Sequence, residues 1–155
     1  MLQDHRCTAV RHHYAQVASE LDRLWSLCAD DIVFHVAGTH PLSGSYFGRD
    51  AVGTYVDAVR RVPGDHPGFT VTSVLADHHK NLLLVEGTAR HGDPAFVRTV
   101  VHVLRFRDEK LVEYWDYPFD QPAEDTFWRT ALPARVPVQR SPRVSAPPTP
   151  PLHRL

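Results

Sequence analysis

Between Val10 and Cys28 apolar residues fall at Val10, Tyr14, Val17, Leu21, Leu24 and Cys28, spacings of three and four that define one face of a helix. Ser19 stands three residues before Asp22, a capping-box-like signal, so the stretch reads as two short helices meeting near Ala18. The run ADD at 29–31 is expected to end the second helix, and IVFHV at 32–36 is β-branched and aromatic enough for a short strand. AGTHPLSGSYFG then places three glycines and a proline in twelve residues, the mark of a loop with a tight hairpin inside. After Gly48 helical spacing returns at Val52, Tyr55, Val56 and Val59, and VPG at 62–64 stops it.

From Phe69 the period becomes strand-like. FTVTSVLA, NLLLVEGTAR, AFVRTVVHVLRF and KLVEYWDY are four strands separated by DHHK, HGDP and RDE. Connections this short predict an antiparallel meander, because a parallel crossover needs a dozen or more residues. EDTFW at 124–128 adds a final helical turn. The order of elements is that of an α+β fold, a curved antiparallel sheet packed on helices around a conical space that a ligand would occupy.

Alternation sorts the side chains of the last two strands. Arg105 is costly to bury, which turns its set outward and His102 and Leu104 inward. In the final strand Glu113 turns Leu111, Trp115 and Tyr117 outward, sending Asp116 inward beside Tyr114. The outward apolar residues, with Val101 and Val103, suggest a homodimer interface. In NLLLVEGTAR either face can be the buried one, and Glu86 stays unassigned. Tyr14 lies on the first apolar stripe and can bring a phenol to the same space, whereas His12 and His13 are expected at the surface.

Composition narrows the function. The net charge of −1 hides an asymmetry: residues 131–155 hold four arginines and no acid, leaving 13 basic against 18 acidic groups in residues 1–130. An acidic body is a poor match for nucleic acid. The last 25 residues contain seven prolines and few large apolar groups, so residues 1–130 are expected to form the domain and 131–155 a disordered tail. No segment has the roughly 20 apolar residues of a membrane span, and none resembles a signal peptide, so a cytoplasmic location without membrane contact is expected. Cys7 and Cys28 read as plain thiols. Neither DHHK nor the loop histidines His40, His66 and His91 have metal-ligand spacing, so no metal is expected. PLSGSYFG lacks the lysine and helix of a phosphate loop.

The helical YAQVASELDRLWSLCADD, the strand and loop FHVAGTHPLSGSYFGRDAV, the meander and the closing KLVEYWDYPFDQPAEDTFW together resemble the NTF2-like superfamily, in particular its SnoaL-like and ketosteroid-isomerase-like branch, over residues 8–129. The resemblance implies a cone-shaped fold, usually dimeric, with an apolar cavity. Ketosteroid isomerase pairs an aspartate base with an oxyanion hole of a tyrosine and a protonated aspartate. Here Tyr14 falls near the tyrosine and His102 on the protonated aspartate. The base falls on His35 if the alignment is anchored on AGTHPLSG and on Val36 if it is anchored on ADD. Polyketide cyclases of this kind use an inward carboxylate on a late strand, for which Asp116 is the counterpart. Epoxide hydrolases of the fold need an Asp-Arg-Asp cluster, of which Arg98 and Asp116 supply a part.

The expected function is therefore a small cofactor-independent enzyme acting by general acid/base catalysis on an apolar cyclic or polyketide-like metabolite, as an isomerase, cyclase or dehydratase. Asp116, His102, Tyr14 and His35 are its candidate catalytic groups, and Tyr114, Leu104, Phe34 and Tyr55 its ligand-lining groups. Burial among aromatic rings is expected to raise the pKa of Asp116. The competing expectation is a non-catalytic small-molecule-binding or dimerisation module on the same fold.

Overall fold

The computed structural model describes residues 25–62, 69–77 and 79–132. Within them lie β1 (Cys28–Val36), β2 (Gly44–Phe47), α1 (Gly48–Arg60), β3 (Thr70–Asp77), β4 (Leu82–His91), β5 (Phe96–Arg107), β6 (Lys110–Pro118) and α2 (Gln121–Ala131). The strands form one six-stranded sheet in the order β2-β1-β6-β5-β4-β3. Strands β3 to β6 make the expected antiparallel meander. The β5–β6 turn is closed by Asp108 and Glu109, both at positive φ, the backbone of a two-residue hairpin turn whose twist matches the strands. One pairing departs from the antiparallel expectation: β1 runs parallel to β6. The connection between them passes through α1 and the whole meander, ample length for a parallel crossover.

One face of the sheet is covered. Val52, Tyr55, Val56 and Val59 of α1 are buried together with Ile32, Phe34 and Tyr46 from β1 and β2, as the spacing of three and four predicts. Leu83, Val85 and Ala89 of β4 are buried on this side as well, which settles the orientation of that strand and turns Glu86 to the other face.

Three local expectations are corrected. ADD does not end a helix: Ala29, Asp30 and Asp31 lie inside β1, where Arg107 reaches across to Asp31 at 2.8 Å. Arg49 secures the start of that strand by donating to the carbonyls of Trp25 and Cys28. Leu111 does not point outward. Arg105 pairs with Glu113 but Phe106 pairs with Leu111, so Val112 is an extra residue that shifts the alternation and buries Leu111 completely. Leu111→Ala should accordingly cost about 2 to 5 kcal/mol in urea denaturation, where an outward leucine would cost little. Finally, EDTFW is the middle of an 11-residue helix, begun by the Asp120 carboxylate accepting from the Ala123 N–H at 3.0 Å. The expected helices before Trp25, with Tyr14, and the tail after Leu132 lie outside the described residues, and Ala131 belongs to α2. Among the described residues no helix is long and apolar enough to cross a membrane.

Candidate functional site

Strand alternation places Arg98, Val100, His102 and Leu104 of β5 on the covered face, all buried. The β5–β6 register sets His102 opposite Asp116 and Leu104 opposite Tyr114. Arg98 extends to Asp116 as a two-pronged pair, Nη2 donating to Oδ1 at 2.6 Å and Nη1 to Oδ2 at 3.1 Å. Its Nε–H is directed at Glu124 of α2, 3.0 Å from Oε2 and 2.9 Å from Oε1. One turn on, the Trp128 indole N–H donates to Glu124 Oε1 at 2.7 Å. A guanidinium thus lies between two carboxylates, with exposures of only 8% for Arg98 and 2% for each acid.

The two acids are driven apart. Burial alone would raise Asp116, but the charge and both bonds of Arg98 outweigh it and hold the carboxyl below the usual 3.8. The expected rise is thereby reversed: desolvation raises the carboxyl, and the ion pair with Arg98 outweighs it. Glu124 faces the same desolvation with one Arg98 donor and the indole N–H, and its carboxyl is pushed above the usual 4.5. By linkage the lowered Asp116 adds stability above the unfolded aspartate pKa, lost as pH falls through its folded value. The raised Glu124 acts in the opposite sense, its contribution being complete below the unfolded glutamate pKa and lost as pH rises through its folded one.

His102 Nε2 lies 3.9 Å from Asp116 Oδ2. Its ring is stacked on Phe69 at 4.7 Å and tilted against Tyr114 at 5.0 Å, and burial lowers its pKa to about 4 against the partial opposition of Asp116. The imidazole is neutral at pH 7. Phe69 reaches this position over Gly87, where any Cβ would overlap the Phe69 ring and the Thr70 carbonyl. Phe69→Ala should therefore let water to the imidazole and move its titration toward 6.5, followed by proton NMR of the His102 ring. An unchanged value would mean that other groups keep His102 dry.

Tyr114 continues the aromatic wall, stacked on Phe34 at 4.3 Å, and Phe34 meets Tyr55 edge-on at 6.0 Å. Tyr55 is buried, and burial together with the charge of Asp116 pushes its phenol well above 10. His40 closes the side near α2. Its Nδ1 accepts from the Leu42 N–H at 3.2 Å, and burial lowers its pKa to about 4. The loop carrying it is fastened to α2 by Asp125, which accepts from Thr39 N–H at 3.1 Å, Thr39 Oγ1 at 2.8 Å and Gln121 at 2.9 Å. Gly38, at φ +98°, leaves room for that contact, since a Cβ there would overlap Asp125 and Gln121.

The structure thus gathers Asp116, His102, Tyr114, Leu104, Phe34 and Tyr55 on one face. It does not bring His35 to them. On β1 His35 alternates with inward Phe34 and pairs with Trp115, so it lies on the opposite face. There Nδ1 is 2.9 Å from Ser45 Oγ, Nε2 is 3.1 Å from Glu113 Oε1, and the ring stacks on Trp115. Arg98 as the hub, Glu124, Trp128, His40 and Phe69 were missed. Arg98 shares the parity of His102, which was the available signal. Glu124 and Trp128, four apart on a helix, were a second one. Among the described residues no three His, Cys, Asp or Glu side chains gather as metal ligands would.

No curated protein matches this sequence. Among solved structures, Bal32a from a soil-derived mobile gene cassette superposes with a TM-score of 0.69 at 18% identity, over 79% of this chain and 95% of its own. TerC, co-crystallised with polyporic acid, gives 0.62 at 17% identity over 75% and 91% of the two chains. A Catenulispora acidiphila protein with a ketosteroid isomerase-like fold, in complex with trimethylamine, gives 0.56 at 16% over 70% and 82%. At these identities the likeness is one of fold. The model of the SnoaL-like domain matches residues 9–114, which holds Arg98 and His102 and stops short of Asp116 and Glu124. The chain therefore belongs to the SnoaL-like domain family, on the cone-shaped α+β fold of NTF2-like proteins.

Proposed function

We propose that this protein is a general acid/base enzyme acting on a small, largely apolar cyclic or polyketide-like molecule, by isomerisation, cyclisation or dehydration. The observation that carries the reading is the buried Arg98 between Asp116 and Glu124. Two buried acids with oppositely shifted pKa values are the arrangement that separates base from acid. Asp116 stays ionised and takes a proton from a carbon next to a carbonyl. Its two oxygens retain lone pairs beyond those used by Arg98. Neutral His102, stacked on Phe69 and tilted against Tyr114, donates or accepts a hydrogen bond beside it. Glu124, raised by burial, retains its proton to higher pH than Asp116 does. The lining of Phe34, Leu104, Tyr114 and Tyr55 suits an apolar ligand.

The test is exchange of α-protons on a panel of cyclic ketones in D2O, with Asp116→Asn slower by about 10²-fold or more. Equal rates in the two proteins would remove Asp116 from the chemistry. A second reading, a non-catalytic binding module, is favoured by one observation: both Asp116 oxygens are engaged by Arg98, as in a purely structural pair. Both readings keep a cytoplasmic homodimer as the working expectation, with Trp115, Tyr117, Val101 and Val103 on the outer sheet face as the interface.

A further inference from the structure

The two described helices are seated in different ways. On α1 the buried residues are Val52, Tyr55, Val56, Ala58 and Val59, a largely apolar face. On α2 they are Glu124, Asp125 and Trp128, so acids make up most of the buried set. Apolar burial has no preferred direction and tolerates a small roll or slide, whereas a hydrogen bond weakens steeply once its donor leaves the line of the acceptor. Polar contacts therefore decide where the side chains of α2 point.

Successive residues of a helix project about 100° apart around its axis. Glu124 uses one of these directions to meet the Arg98 Nε–H. Asp125 uses the next to meet the loop after β1, its two oxygens accepting separately from the Thr39 N–H at 3.1 Å and the Thr39 hydroxyl at 2.8 Å. Gln121, one turn earlier, donates to the same carboxylate, and Arg129, one turn later, donates to the Thr39 hydroxyl. A helix held at one point can pivot about it; anchors in two directions fix its roll. The ring contacts of α2, Phe127 on Phe96 at 4.6 Å and Trp128 beside His91 at 5.2 Å, both lie toward the β4–β5 hairpin, where faces can slide. Gly38 shapes the receiving loop, since a Cβ there would overlap Asp125 and Gln121.

We propose that Asp125 is a positioning residue for this site: its bonds to Thr39 fix the roll of α2 and so seat Glu124 on Arg98. Asp125 acts through Glu124 and takes no part in proton transfer itself. Its effect on rate rests on the acid/base reading above, and its effect on Glu124 rests on geometry alone.

Asp125→Ala and Asp125→Asn, compared in the full chain, test it. Alanine removes the tie to Thr39; asparagine removes the charge but keeps an acceptor for the Thr39 N–H and a donor for its hydroxyl. The Glu124 carboxyl is followed by carbon NMR, with Glu124→Gln as the assignment. It is held above the usual 4.5 in the wild type, and in Asp125→Ala it should fall back toward that value as the side chain leaves Arg98 for water. In Asp125→Asn it should stay where the wild type has it. Thr39→Val, which removes the hydroxyl alone, should move it in the same direction by less. α-Proton exchange on the cyclic ketone panel should slow about tenfold or more in Asp125→Ala, and much less in Asp125→Asn. An unshifted Glu124 in Asp125→Ala overturns the proposal, because α2 is then seated without the tie. An equal shift in both Asp125 variants overturns it too, because the charge of Asp125 is then what Glu124 senses. Should Asp125→Ala not fold, Thr39→Val decides, and an unmoved Glu124 in that variant is the overturning result. A wild type that exchanges none of the ketones removes the acid/base reading and leaves the Glu124 titration to judge the positioning role, so the two can fail separately.

Discussion

Arg98→Met should destabilise the folded domain by about 3 to 5 kcal/mol at neutral pH, measured by urea denaturation. Methionine fills much of the same volume, so the loss comes from electrostatics. Asp116 and Glu124, both almost fully buried, would be left facing each other without the guanidinium that bonds to both. The pH dependence identifies the cause. In the variant both carboxyls would have folded pKa values above their unfolded ones, so stability would be greatest in acid and decline as pH rises through the folded values. The wild-type Asp116 contribution runs the other way, present above the unfolded pKa and lost as pH falls, because Arg98 lowers that group. A variant that loses less than about 1 kcal/mol, within the range of a surface substitution, with no recovery in acid, would mean that water reaches the pair.

Asp116→Asn should have a smaller effect on folding and a larger one on chemistry. The amide keeps one oxygen for Arg98, and Glu124 still balances the guanidinium, so a cost of about 1 to 2 kcal/mol is expected, below that of an unpaired buried charge. Proton transfer falls by about 10²- to 10⁴-fold, because an amide cannot accept the proton. Measuring both quantities on one sample separates the two readings of the site. A folded variant with intact ligand binding and lost exchange supports the enzyme. A variant that exchanges as wild type, or that loses its fold along with its binding, supports the structural pair.

The sequence made the meander legible because its turns are short and its strands alternate, and the α1 face was equally plain from Val52, Tyr55, Val56 and Val59. What it hid were the places where alternation slips. Val112 is one extra residue, and it moved Leu111 from the surface to the core. ADD looked like a helix terminus, yet its charges pair across strands, as Asp31 does with Arg107. His35 was drawn inward by a family alignment, while its neighbour Phe34 fixes the opposite parity.

The site was half legible for a related reason. Asp116, His102 and Tyr114 follow from parity on two paired strands. Arg98 obeys the same parity, but a buried arginine is credible only once its acids are seen, and Glu124 arrives from a helix that begins after the last strand. The pKa of Asp116 was then misjudged in sign, since desolvation and an ion pair act in opposite directions and only distance decides between them.

Arg98 divides two buried carboxyls into a base held ionised and an acid held higher. Carbon NMR of the side-chain carboxyls, with Asp116→Asn and Glu124→Gln providing the assignments, measures this directly. Asp116 should titrate below 3.8 and Glu124 above 4.5. The reverse order, or two ordinary values, would contradict the account.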